Sequence, residues 1–215
     1  MNKKYQLLNE LARKGKTFTF EDAARTSSLS HQSLKVMLSR MEKEGFVERI
    51  EKGKYLIIPL GARKGRYTIN EFIIGSQFVK PAVIAYWSAL NYHGLTEQIP
   101  NMVFIQTTSR KKEQRPEIFD VRYRIVRVTK QKFFGFEKVW IDDAAVQITD
   151  LEKTVVDCLD KPQYCGGIAE AAKALQGDLD IEKLKKYAMK IGNSAVIKRL
   201  GTLCEKIGIK IDVEP

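Results

Sequence analysis

Between Ser30 and Ile58 the apolar period changes from about 3.6 residues to two, and no other stretch restricts the fold as tightly. Leu34, Met37, Leu38 and Met41 recur at i, i+3, i+4 and i+7, the buried stripe of an amphipathic helix. Ser30 is placed to cap its N-terminus, and Gly45 ends it. Residues 46–50 and 55–58 then read as two short strands. Glu51-Lys52-Gly53-Lys54 joins them as a hairpin with glycine at the turn. Upstream, residues 3–14 place Tyr5, Leu7, Leu8, Leu11 and Ala12 on one helical face, and Gly15 stops that helix. Thr17-Phe18-Thr19 is a short extended stretch. Thr19-Phe20-Glu21-Asp22 has the form of a capping box, which predicts a short helix to Arg25 or Thr26. Helix, short helix, turn, helix and hairpin is the order of a winged helix-turn-helix, predicted here over residues 1–60.

Charge adds a partner to this fold. The formal net charge is +11. Residues 1–66 hold 15 Lys and Arg against 7 Asp and Glu, while residues 67–150 hold 11 against 9 and residues 151–215 hold 11 against 10. The excess lies in the N-terminal third, the local field that a polyanion answers. A helix fits the major groove, and side chains in its first turns reach base edges. On the polar face of the third helix, Gln32 can pair bidentately with adenine, and His31 and Lys35 can address guanine acceptors. Ser30, Ser33, Arg40 and Lys43 are placed for phosphates, and Ser39 is either a contact or surface filler. Lys52 and Lys54 at the hairpin tip would touch the backbone or the minor groove. Other readings stand beside these. His31 could be a solvated first-turn residue, Arg40 and Lys43 could pair with Glu44 or Glu48, and a winged helix can serve protein contacts.

Residues 61–66 read as a linker, within a Pro- and Gly-containing basic stretch from Pro59 to Arg66. Arg63, Lys64 and Arg66 could trail along the DNA backbone. Beyond it, residues 67–215 are expected to form a second domain, α/β over 67–149 and helical over 150–215. Residues 69–93 look helical in two pieces broken at Pro81, with Gly94 just past the end. Residues 102–107, 119–128 and 138–149 alternate as strands. Val121, Tyr123 and Ile125 fall on one face of the second, with Arg122 and Arg124 on the other. The fold class is therefore α+β: a winged helix-turn-helix, then a mixed α/β domain ending in a helical segment.

Known catalytic signatures are missing from the sequence. There is no P-loop, GxGxxG, HExxH or GxSxG. A nuclease site would need clustered carboxylates and a lysine around a metal. Asp120, Glu137, Asp142 and Asp143 are candidates for that only loosely. Cys158, Cys165 and Cys204 contain no CxxC pair and read as small buried residues of a reduced compartment. His93 reads as a helix C-terminal residue facing the dipole. No cofactor, metal or catalytic residue is expected. With no apolar run long enough to span a bilayer and no signal-peptide core, the chain is expected to be soluble and cytoplasmic, without a membrane partner.

Two runs in the second half carry a resemblance. AYWSALNYHGLTEQIPNMVFIQTTSRKK, residues 85–112, and ITDLEKTVVDCLDKPQYCGGIAEAAKAL, residues 148–175, resemble the AbiEi-type antitoxins of bacterial type IV, abortive-infection toxin–antitoxin systems. The N-terminal winged helix matches too. The resemblance implies a repressor that binds inverted repeats in its own promoter. It also implies that the C-terminal domain contributes to repression and counters a nucleotidyltransferase-like toxin, without requiring a stable complex. It carries over to the third-helix and hairpin positions named above, and to no toxin-neutralising residue. The alternatives left open are a DNA-targeted metal-dependent nuclease and a protein-interaction module scaffolded by the winged helix.

Overall fold

A computed structural model describes residues 3–58, 70–110, 117–118, 120–142 and 144–211. The chain divides into two compact units, Met1–Asn70 with Asp142–Ala144, and Glu71–Ile141 with Ala145–Pro215.

The first unit contains α1 (Lys3–Ala12), β1 (Thr17–Thr19), α2 (Phe20–Thr26), α3 (His31–Lys43), β2 (Val47–Glu51) and β3 (Lys54–Ile57). Its helix starts follow local chemistry. The Thr19 hydroxyl accepts from the Asp22 N–H, and Asp22 accepts from the Thr19 N–H, closing the capping box. These Thr19 bonds hold the Asp22 carboxyl below its ordinary pKa. The Ser30 hydroxyl caps α3 by accepting from the Ser33 N–H at 3.2 Å. Leu34, Leu38 and Met41 are buried and Met37 half-buried, packed against Leu7, Leu8 and Leu11 of α1 and Val47 of β2. Tyr5 and Ala12 depart from the expected α1 stripe and are exposed. Tyr5 instead lies edge-on to Phe46 at 5.5 Å between ring centroids.

The extended stretch at 17–19 becomes a third strand. The sheet order is β1-β3-β2, antiparallel throughout, with Thr19 opposite Lys54 and Arg49 opposite Tyr55. The hairpin turns at Gly53, whose φ of +77° lies in the left-handed region that glycine enters without strain. The Phe20 N–H donates to the Gly53 carbonyl at 2.8 Å, tying the hairpin tip to the start of α2.

The second unit contains α4 (Glu71–Gly75), β4 (Val83–Ile84), α5 (Tyr86–Tyr92), β5 (Met102–Thr107), β6 (Glu117–Ile118), β7 (Val121–Arg127), β8 (Phe136–Ile141), β9 (Ala144–Thr149), α6 (Leu151–Asp160), α7 (Ile168–Ala174), α8 (Ile181–Ile191) and α9 (Ser194–Ile207). The strands form one mixed sheet in the order β6-β7-β5-β4-β9-β8. β5 runs parallel to β7, and β4 is antiparallel to β5 and parallel to β9. The helices α6–α9 enclose a core of Val155, Val156, Leu159, Leu184, Val196 and Leu200.

Three expectations change here. The second half of the 69–93 region is not one helix from Pro81. Val83 and Ile84 form a central strand, and α5 begins only at Tyr86. Pairing on both sides, to Gln106 and Ile105 and to Ile148, outweighs the helix propensity of neighbouring alanines. Residues 138–149 are two strands, with Asp142 at the turn at φ +44°. The 119–128 strand begins at Val121, and Asp120 at φ +62° turns the chain back to β6. Both aspartates thus occupy turn positions that Asp tolerates better than bulkier residues.

The helices α6–α9 fall within the segment 150–215 expected to be helical. Asp160, at the end of α6, gathers three elements. Lys132 donates to both its oxygens at 2.7 Å, and the Asn193 side chain, at the start of α9, donates at 2.7 Å. Burial pushes the Asp160 carboxyl up, but these donors outweigh it and hold the pKa below 3.8. Its stabilising contribution is therefore present above pH 3.8 and is lost as pH falls through the lower folded value. Asp160→Asn should cost about 2 kcal/mol at neutral pH. It should also make stability fall less steeply with acid below pH 3.8, measured by urea unfolding across a pH series.

Candidate nucleic-acid interface

The outward side of α3 and the β2–β3 hairpin border an open groove. Lys35, Ser39 and Glu42 form one wall, and Arg49, Lys52 and Tyr55 the other. A second concavity follows the opposite flank of α3, past Gln32, Ser33, Val36 and Arg40, and ends at Lys4 and Glu44. Both are built on rigid parts: α3 is anchored by Leu34, Leu38 and Met41, and the hairpin by Val47 and Leu56, all buried.

The sequence-predicted residues divide by how they are engaged. His31, Gln32, Ser33, Lys35, Ser39, Arg40, Lys43 and Lys52 are exposed. His31 lies edge-on to Phe20 at 5.5 Å, which fixes the ring at the start of α3. Ser30 uses its oxygen to cap the helix and its proton to reach the Ser33 hydroxyl at 3.0 Å. The ion pairing considered for Arg40 and Lys43 is not formed with Glu44, which Lys4 engages instead. Lys54 is half-buried and pairs with Glu51 at 3.3 Å, whereas Lys52 at the hairpin tip is exposed. Arg63, Lys64 and Arg66 lie outside the described residues.

Arg49 is a candidate that sequence reading did not single out. Its ring neighbour Tyr55 stacks on Phe18 at 5.4 Å. Burial raises the Tyr55 pKa, with Arg49 opposing the rise. The register shifts between Arg49 and Glu51, a bulge that breaks simple alternation. Parity with Val47 is the signal that could have placed Arg49 on the α3 side.

The second unit holds a buried polar network. The Gln106 side-chain amide donates to the Tyr86 hydroxyl at 3.2 Å and to Asp157 at 3.1 Å. Asp157 also pairs with Lys153, one turn back on α6, and both side chains are buried. Burial pushes the Asp157 carboxyl up against the opposing influence of Lys153 and Gln106, and drives the Tyr86 hydroxyl well above its usual value. Tyr86 is held at φ +56° at the start of α5, a costly conformation for a bulky residue. A second junction joins the same regions: Glu170 accepts from Thr96 at 2.9 Å and from Gln98 at 3.3 Å. Residues 85–112 and 148–175, read separately in the sequence, thus meet at these two hydrogen-bonded clusters and where His93 reaches the Thr149 carbonyl.

Other candidates resolve locally. His93 ends α5 as expected, and its Nε2 lies 2.7 Å from the Thr149 carbonyl, which requires a proton on Nε2. Cys158, Cys165 and Cys204 are free and buried. Among the described residues, no group of three or more His, Cys, Asp or Glu is arranged to hold a metal ion. Asp143 lies outside them. No helix among the described residues is long and apolar enough to cross a membrane.

These features define a small helical unit with a basic outward helix and hairpin, joined to a mixed α/β unit. Residues 5–58 match the family model described as transcriptional regulator, AbiEi antitoxin. The resemblance read from the sequence is therefore supported over the first unit, and the runs at 85–112 and 148–175 lie beyond the matched residues. No curated protein matches the chain by sequence. The crystal structure of RV2827C protein from Mycobacterium tuberculosis is similar in fold, with a TM-score of 0.66 and 14% identity. The alignment covers 97% of this chain and 78% of that one.

Proposed function

We propose that the protein is a DNA-binding transcriptional autorepressor and the antitoxin of a type IV, abortive-infection toxin–antitoxin system. In this reading residues 1–60 are a winged helix-turn-helix, with α3 in the major groove and the β2–β3 hairpin as the wing. The observation that carries it is the match of residues 5–58 to the antitoxin regulator family, on a unit whose α3 presents exposed basic and amide side chains outward. Gln32 and Lys35, in the first half of α3, address base edges. Ser33, Arg40, Lys43 and Lys52 take phosphates, with Arg49 beside them. The DNA is the protein's own promoter, read as inverted repeats by two copies. Residues 67–215 form the antitoxin domain. They contribute to repression and counter a nucleotidyltransferase-like toxin without a stable complex, and no catalytic chemistry is assigned to the chain.

A gel-shift titration with the region upstream of its own gene tests the repressor half. Retention of that duplex over unrelated DNA at moderate salt is expected. Lys52→Ala should lower the slope of log K against log salt by about one. Equal retention of both duplexes, or of neither, would contradict the reading.

A further inference from the structure

One residue on the outward side of α3 does not fit a solvated polar face. Val36 is 44% exposed, among the large apolar side chains most open to solvent in the first unit. At about 100° per residue, Gln32, Val36, Ser39 and Lys43 fall within roughly 60° of one another, opposite Leu34, Leu38 and Met41. Val36 therefore stands near the pole of the exposed face, one turn after Gln32 and one before Arg40, and lines the same concavity. Nothing in the fold asks for it there. The core stripe is complete without it, and a β-branched residue at an exposed helix position costs a little helix propensity compared with Ala or Lys.

We infer that Val36 reads a thymine methyl group in the major groove, and so is a specificity-determining residue of the interface. This rests on the proposed docking of α3 in DNA. The thymine C5-methyl is the apolar feature of the major-groove edge, and a short apolar side chain is its complement. The surroundings favour DNA over protein as the occupant. Val36 and the half-buried Met37 are the apolar side chains lining this concavity, among Lys4, Gln32, Ser33, Arg40 and Glu44. That is too little apolar surface for the centre of a protein interface, while the flanking cations and amide suit a polyanion. With Gln32 matched to adenine, the two residues would read A·T pairs at positions one helical turn apart along α3.

The test uses the full chain and the duplex upstream of its own gene, made once with thymine and once with uracil throughout. The wild-type protein should bind the uracil duplex about three- to ten-fold more weakly, in proportion to one or two lost methyl contacts. Val36→Ala should bind the thymine duplex as weakly as the wild type binds the uracil one, and should discriminate little between them. Circular dichroism should show Val36→Ala as helical as the parent. Equal wild-type binding to both duplexes overturns the inference while leaving the DNA-binding reading intact. Discrimination that persists in Val36→Ala also overturns it, since another residue then reads the methyl. Loss of self-association in Val36→Ala, seen by sedimentation with thymine discrimination unchanged, assigns the residue to a second copy and overturns it as well. No binding to either duplex removes the proposed function itself.

Discussion

Replacing Asp157 with alanine should lower the unfolding free energy by about 3–5 kcal/mol, because it leaves the Lys153 ammonium buried without its counter-charge. Lys153 is 0% exposed and Asp157 2%. Water therefore cannot take the place of the carboxylate without opening the junction between β5 and α6. The same change removes an acceptor of the Gln106 amide and leaves Tyr86 its remaining link. For a chain of this size the loss corresponds to a fall in melting temperature of roughly 10 °C. Thermal unfolding of the full chain followed by circular dichroism measures it. The double change Lys153→Met with Asp157→Leu should recover most of the stability, since it removes both charges and fills the volume. If the single variant is as stable as the parent, the network contributes nothing to the fold. The buried polar residues shared by the 85–112 and 148–175 runs would then need another explanation.

Removing three cations from α3 should have the largest effect on DNA. Lys35, Arg40 and Lys43 are exposed, and the neighbouring acid Glu44 is engaged by Lys4. Each released counterion contributes about 0.9 to the slope of log K against log salt. The Lys35→Ala, Arg40→Ala, Lys43→Ala variant should lose about two in slope, for the phosphate contacts of Arg40 and Lys43, and with the Lys35 base contact also gone affinity near 0.1 M salt should fall roughly 100- to 1000-fold. The substitutions lie on the exposed face, and alanine is the best helix former, so helicity should not fall. Fluorescence anisotropy with a labelled upstream duplex over a salt series gives slope and affinity together. An unchanged slope would remove α3 from the interface.

The local parts of this structure were legible in the sequence, and the non-local parts were not. Ser30 capping α3 and the Thr19–Asp22 capping box depend on residues three apart, and both read directly from spacing. The buried stripe at 34, 38 and 41 and the Gly53 turn are of the same kind. Val83 and Ile84 were misread as helix because their strand partners lie at 105–106 and 148. Their own neighbours, Ala85 and beyond, favour helix. The break at Asp142 was missed because alternation continues on both sides of the turn. In the interface, the sequence identified the exposed polar face of α3. It did not show that Glu51 engages Lys54, nor that Arg49 joins the groove past a bulge, since both depend on the register of the hairpin. Val36, being apolar, carries no sign of a polar contact in the sequence. Its placement at the outward pole gains meaning only once the core stripe is fixed.

The central claim is that α3 and the β2–β3 hairpin meet DNA. Amide chemical-shift mapping of the isotope-labelled full chain, titrated with its own upstream duplex, tests it most directly. The account predicts the largest changes at Gln32, Lys35, Val36, Ser39 and Lys43 of α3 and at Arg49 and Lys52 of the hairpin, with the buried amides of α6 unmoved. Changes confined to residues beyond 70, with α3 and the hairpin silent at saturating duplex, would contradict it.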